Sequence, residues 1–165
     1  MNTPKPSWLV YNYGPRCTLV SAASGLKFLG CHDDIDLIKI LEDRLDFHPR
    51  FGPSALNYIS LGGYPPKLDQ AIETAGFKAN LKVRAKTRFN TSFTSLTTNF
   101  INTKSVAILN CIVAPGGKFN HSVLAYELDI NHRILATIDP NNGIITAYQW
   151  RNLNLIACIT LISLA

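Results

Sequence analysis

The sequence predicts an α+β domain whose helical N-terminal half packs on a C-terminal antiparallel sheet. Three observations point to it. From Cys17 to about Ile101 the apolar residues recur mostly at helical spacing, punctuated by glycine and proline. From Ser105 onward they gather in short runs rich in Val, Ile, Leu and Thr, separated by Pro-Gly-Gly and Asn-Asn-Gly turns. A chain of 165 residues with 47% hydrophobic and 16% charged residues has enough apolar surface for one core, and no repeat or linker divides residues 1–165.

In order, Trp8-Leu9-Val10-Tyr11 reads as a short extended lead-in. The Gly14-Pro15 turn then places Cys17 at the start of a helix running to Leu29 and stopped by Gly30. Leu19, Val20, Ala23, Leu26 and Phe28 supply its buried surface. Asp33 or Asp34 can cap a second helix carrying Ile35, Leu37, Ile38, Leu41 and Leu45. His48 to Pro53 breaks the pattern, and Ser54 can cap a turn through Tyr58. Gly62-Gly63-Tyr64-Pro65-Pro66 leads into a third helix with Leu68, Ala71, Ile72 and Ala75, stopped at Gly76. Phe77 to Val83 alternates like a half-exposed strand, and Thr91 or Ser92 starts a last helix with Phe93, Leu96, Phe100 and Ile101. The expected sheet strands are Ser105 to Val113, His121 to Leu128, Ile134 to Ile138, Ile144 to Tyr148 and Leu155 to Ile162.

Composition excludes several function classes. The net charge is +5, but the sixteen Lys and Arg residues are scattered. The nearest approach to a patch, Lys78, Lys82, Arg84, Lys86 and Arg88, has the spacing of a solvated strand face, so no nucleic-acid partner is expected. Four cysteines, at 17, 31, 111 and 158, are too dispersed for a disulfide framework. Cys111 and Cys158 sit in apolar runs and read as inert buried thiols. Cys31-His32 has no second ligand pair at zinc-site spacing, so neither metal nor cofactor is expected. No Sec-type signal is seen, and the apolar stretch from Leu155 to Ala165 is too short to span a bilayer. The expectation is a monomer without membrane insertion, cytoplasmic where it is made, with signal-less export to a host or neighbouring cell left open.

The chemistry centres on Cys17. A thiol at a helix N-terminus feels unpaired N–H groups and the positive end of the helix dipole, and both favour the thiolate. Arg16 adds a neighbouring cation. A cysteine nucleophile also needs a base, and the base needs an orienting partner. His32 and His132 read as solvated, and His48 precedes a proline in a loop. His121 instead opens a strand after the 114–120 loop, at a sheet edge. Asp139 ends the next strand, so antiparallel pairing brings it close to His121. Taken singly, each residue has a plain structural explanation; together they fall where one chemistry needs them.

This layout resembles the papain-like cysteine peptidases, in particular the bacteriocin-processing, double-glycine leader peptidase family and its stand-alone relatives. The resemblance rests on Tyr13-Gly14-Pro15-Arg16-Cys17, on His121-Ser122-Val123-Leu124-Ala125-Tyr126 and on Asp139-Pro140. Gly62-Gly63-Tyr64-Pro65-Pro66 before Ala75-Gly76-Phe77 adds to it. It implies a papain-like fold with the nucleophile on the first long helix, a polypeptide substrate, and a Cys17-His121-Asp139 triad acting through a thioester. The family's glutamine six residues before the cysteine stands here as Tyr11, which leaves Asn12 or Tyr11 as the oxyanion donor beside the Cys17 N–H. A transglutaminase- or acyltransferase-like enzyme using the same triad and a non-catalytic peptide-binding domain of the same fold are the alternatives. A stand-alone bacterial peptidase, a translocated effector or a toxin domain are the settings the resemblance offers.

Overall fold

The structure, a computed structural model, describes residues 5–11, 16–32, 35–45, 65–89, 92–110, 121–152 and 158–165. The expected caps at Asp33 or Asp34, the turn from Ser54 to Tyr58, Cys111 and the 114–120 loop lie outside these residues, as do Asn12 and His48.

Helix α1 spans Cys17–Leu29 and is buried at every position from Cys17 to Leu26, so it lies inside the domain and fixes whatever its ends carry. Gly30, at φ 124°, ends it. Helix α2, Leu37–Leu45, buries Leu37, Leu41 and Leu45 at four-residue spacing. Its first turn is held by Asp36, whose carboxylate accepts the Lys39 N–H at 3.0 Å, two or three residues later than the cap the sequence suggests. Helix α3 runs over Pro65–Lys78, with proline at the position where a missing N–H costs nothing.

Here the structure corrects the sequence reading. Gly76 does not stop α3, and the strand expected from Phe77 to Val83 is instead the helix end, a turn, and the start of strand β1, Val83–Phe89. Asn80 makes the turn by taking the left-handed conformation at φ 54°. A Cβ on Gly76 would lie 2.7 Å from Val83 Cγ2 and 2.9 Å from the Leu81 carbonyl, so this glycine admits the strand that folds back over it.

Helix α4, Phe93–Asn102, starts at Ser92, whose hydroxyl accepts the Ser95 N–H at 3.2 Å. Strands β2 (Ser105–Asn110), β3 (Ser122–Asp129), β4 (Ile134–Ile138), β5 (Ile145–Gln149) and β6 (Cys158–Leu164) complete a sheet ordered β1-β6-β2-β3-β4-β5. Every neighbouring pair is antiparallel. All six residues of β2 are buried, as expected of a central strand covered on both faces. On one face Val106, Ile108, Leu124, Ile138 and Ile162 pack with α1, α2 and α3. On the other, Ala107, Leu109, Val123, Ala125, Leu135 and Ile159 pack with Leu96 of α4. The outer edge of β1 is closed by α3: Glu73 accepts the Ala85 N–H and Asp69 the Thr87 N–H, each at 3.0 Å, which removes a template for edge pairing.

Strand β3 contains a bulge. Its pairing with β4 slips by one residue between Ala125 and Glu127, beside Tyr126. Leu124 and Tyr126 therefore face the α1 side, whereas Leu128 lies with the α4 cluster. Among the described residues no helix is long and apolar enough to cross a membrane.

Candidate active site

Cys17 is the first residue of α1. The helical ladder opens with the Val20 N–H donating to the Arg16 carbonyl at 2.9 Å, so the N–H groups of residues 17, 18 and 19 precede it. The lead-in is tied to the same helix: the Val10 N–H donates to Ser24 Oγ at 2.9 Å, and Trp8 packs edge-on against Phe28, ring centroids 5.2 Å apart. Arg16 corrects an expectation. Its guanidinium is engaged by Glu42 on α2 in a half-buried ion pair, so its charge is already partnered and does not stand free beside the thiol.

His121 immediately precedes β3 and Asp139 immediately follows β4. Register pairing of Leu124 with Ile138 brings these two ends together. His121 Nε2 lies 2.9 Å from Asp139 Oδ1, with the His121 side chain only 12% exposed. Nε2 has no partner at hydrogen-bonding angles, so this approach acts as a charge pair at close range rather than an aligned hydrogen bond. The same Oδ1 accepts the Asn141 N–H at 2.8 Å, and the turn is closed by the Gly143 N–H donating to the Asp139 carbonyl at 2.7 Å. Gly143 sits at φ 70°, and a Cβ there would also press on Leu9 at 3.1 Å; the lead-in thus braces the turn that aims Asp139. Asn141 Nδ2 stands 3.4 Å from His121 Nδ1.

Cys17 and His121 act on each other electrostatically, and each shifts the protonation of the other. Burial by itself raises the Cys17 thiol. Hydrogen bonding to His121, the His121 charge, and the N–H and hydroxyl of Ser122 outweigh it and bring the thiol below its ordinary 9.0. Burial by itself lowers His121, but contact with Asp139 and with Cys17 pushes it up to about 9. Both directions favour a thiolate beside an imidazolium, titrating as a pair.

Ser122 is a residue that sequence reasoning missed. With it come Thr18, whose Oγ1 is 2.8 Å from Ser122 Oγ, and Asn110, whose Oδ1 accepts from Ser122 at 2.9 Å. All three are buried. Asn110 did carry a signal, because a lone amide inside the Val106-Ala107-Ile108-Leu109 run is the buried polar group that calls for a partner.

Of the two oxyanion candidates, Tyr11 is half-buried against the main core with Lys5 Nζ 4.6 Å from its ring centroid, and Asn12 lies outside the described residues. The other described histidines are elsewhere: His32 is exposed, and His132 is exposed and paired with Asp129 at 2.7 Å. Cys31 and Cys158 are buried thiols. Among the described residues no cluster of three or more His, Cys, Asp or Glu side chains could hold a metal.

No family model matches the chain, and no curated protein matches it. Among the solved structures similar to it, three are matched over nearly their whole length. One is the N-terminal peptidase C39-like domain of the toxin secretion ATP-binding protein from Vibrio parahaemolyticus, 15% identical, covering 99% of this chain and 100% of that one at a TM-score of 0.41. Another is a double-glycine motif protease from an AMS/PCAT transporter in complex with the leader peptide, 12% identical over 98% and 93% at 0.44. The third is the Pseudomonas avirulence protein AvrPphB, 12% identical over 94% and 96% at 0.45.

Proposed function

We propose that the chain is a cysteine peptidase that cleaves a peptide or amide bond in a polypeptide through a thioester on Cys17. The observation that carries this is His121 standing 2.9 Å from Asp139 and electrostatically coupled to Cys17, with the thiol lowered and the imidazole raised. A surface that only binds has no use for that inverted protonation. In the reaction Cys17 Sγ attacks the scissile carbonyl, and the oxyanion is held by the Cys17 N–H together with Asn12 or Tyr11. His121 passes its proton to the leaving amine, the C–N bond breaks, and the acyl group stays on sulfur. Water then attacks the thioester as His121 takes its proton, which releases the acid and returns the thiolate–imidazolium pair. Asp139 holds the ring and favours its charged form. Nucleophile, base and orienting carboxylate come from one chain, so a monomer without cofactor suffices.

The test is covalent labelling by an electrophilic peptide-type probe, read by intact mass and peptide mapping. The wild-type protein is expected to take one label, at Cys17, and Cys17→Ala to take none. Undiminished labelling of the Cys17→Ala variant through another thiol would overturn the assignment.

A further inference from the structure

We infer that the Ser122 hydroxyl is a switchable donor to the Cys17 thiolate and that Thr18 is a positioning residue that makes the switch possible. The inference rests on the peptidase reading of the same site and names a part of it that sequence reasoning did not supply. Ser122 directly follows His121, its Oγ lies 2.8 Å from Oγ1 of Thr18, the residue next to Cys17, and its N–H and hydroxyl both act to lower the Cys17 thiol. Ser122 shares a face with Leu124 by strand alternation, and that face meets α1, where Cys17 and Thr18 begin the helix.

Hydrogen counting makes this a switch. Asn110 and Ser122 are register partners across β2 and β3. The Asn110 amide nitrogen is committed away from the site, 3.3 Å from Thr160 Oγ1 and 3.5 Å from Cys158 Sγ, so its carbonyl oxygen must face Ser122 and Thr18. That oxygen accepts from Ser122 at 2.9 Å and has Thr18 Oγ1 at 3.5 Å. Ser122 and Thr18 carry one hydroxyl hydrogen each and lie 2.8 Å apart. While Cys17 is a thiol, Ser122 donates to Asn110 and Thr18 donates to Ser122. When Cys17 ionises, Ser122 turns its hydrogen to the sulfur, and Thr18 turns to Asn110, so that no buried acceptor is left unpaired. The site is dry, with Thr18 at 1% exposure and Ser122 and Asn110 at 0%, so solvent does not replace a missing hydroxyl. Thr18 therefore acts on the thiolate without touching it.

The experiment is the pH dependence of Cys17 alkylation by iodoacetamide, followed by peptide mapping, in the wild type and in Ser122→Ala, Thr18→Val and Thr18→Ser, each checked for folding by circular dichroism. A hydrogen bond to a charged group is worth enough to move a pKa by about one unit or more. Ser122→Ala is expected to raise the apparent Cys17 pKa by about one unit, Thr18→Val to raise it by a smaller amount, and Thr18→Ser to restore the wild-type value. An unmoved pKa in folded Ser122→Ala would overturn the inference; so would equal behaviour of Thr18→Val and Thr18→Ser. A wild-type Cys17 that titrates like a free thiol would instead overturn the peptidase reading beneath it.

Discussion

Asp139→Asn isolates what the carboxylate does. Asparagine keeps Oδ1, so the Asn141 N–H retains its acceptor and the turn between β4 and β5 keeps its shape. Only the charge facing His121 is lost. In the folded chain His121 stands at about 9 against an ordinary 6.5, a difference of about 2.5 units or about 3 kcal/mol favouring imidazolium, achieved against burial. Asp139 and Cys17 share that gain, and Asp139 is the larger contributor of the two. Removing the negative charge disfavours the charged ring, so the His121 pKa falls. A loss of about 1.5 units moves its midpoint to about 7.5 and reduces the imidazolium fraction at pH 8 by about fourfold. Cys17, deprived of part of its counter-charge, rises in turn. The direct assay is an NMR titration of the His121 ring proton, run beside the pH profile of Cys17 alkylation. A midpoint that stays near 9 in Asp139→Asn would show that burial and Cys17 alone set the ring's protonation, and the role given to Asp139 would be wrong.

Further outcomes bear on the same pair. The kcat/KM profile of the wild type should be bell-shaped: the acid limb marks protonation of the Cys17 thiolate below the ordinary thiol range, and the alkaline limb, near pH 9, marks loss of the His121 proton. A profile that keeps rising past pH 10 would contradict this pair. The oxyanion donor is separated by Tyr11→Phe and Asn12→Ala, since the variant that removes it should lower kcat by about a hundredfold with little change in KM. If both variants keep full kcat, neither side chain serves.

Much of the architecture is legible because it follows from local pattern. Cys17–Leu29 emerges from a turn, an apolar run and a closing glycine, and Ile134–Ile138 from a short branched run between turns. The neighbourhood of His121 and Asp139 is also legible, because antiparallel strands joined by a tight turn must bring the start of one to the end of the other. Gly76 misleads because its reason lies 2.7 Å away, in Val83, and not in the helix it occupies. Arg16 misleads in the same way: proximity in sequence suggests the thiol, while Glu42 on α2 takes the charge.

Spacing, turn residues and strand alternation act over a few residues at a time, so they suffice to read the order of helices and strands and to place a thiol, an imidazole and a carboxylate at element ends. Which face those ends present depends on how the elements pack. One extra residue beside Tyr126 slips the β3–β4 register and reverses the side chains after it, whereas Ser122, before the bulge, meets Thr18 and Asn110. A strand's alternation is two-fold and has no preferred side until something packs against it. Here α1 buries one face and α4 the other, and that choice is made by the whole core.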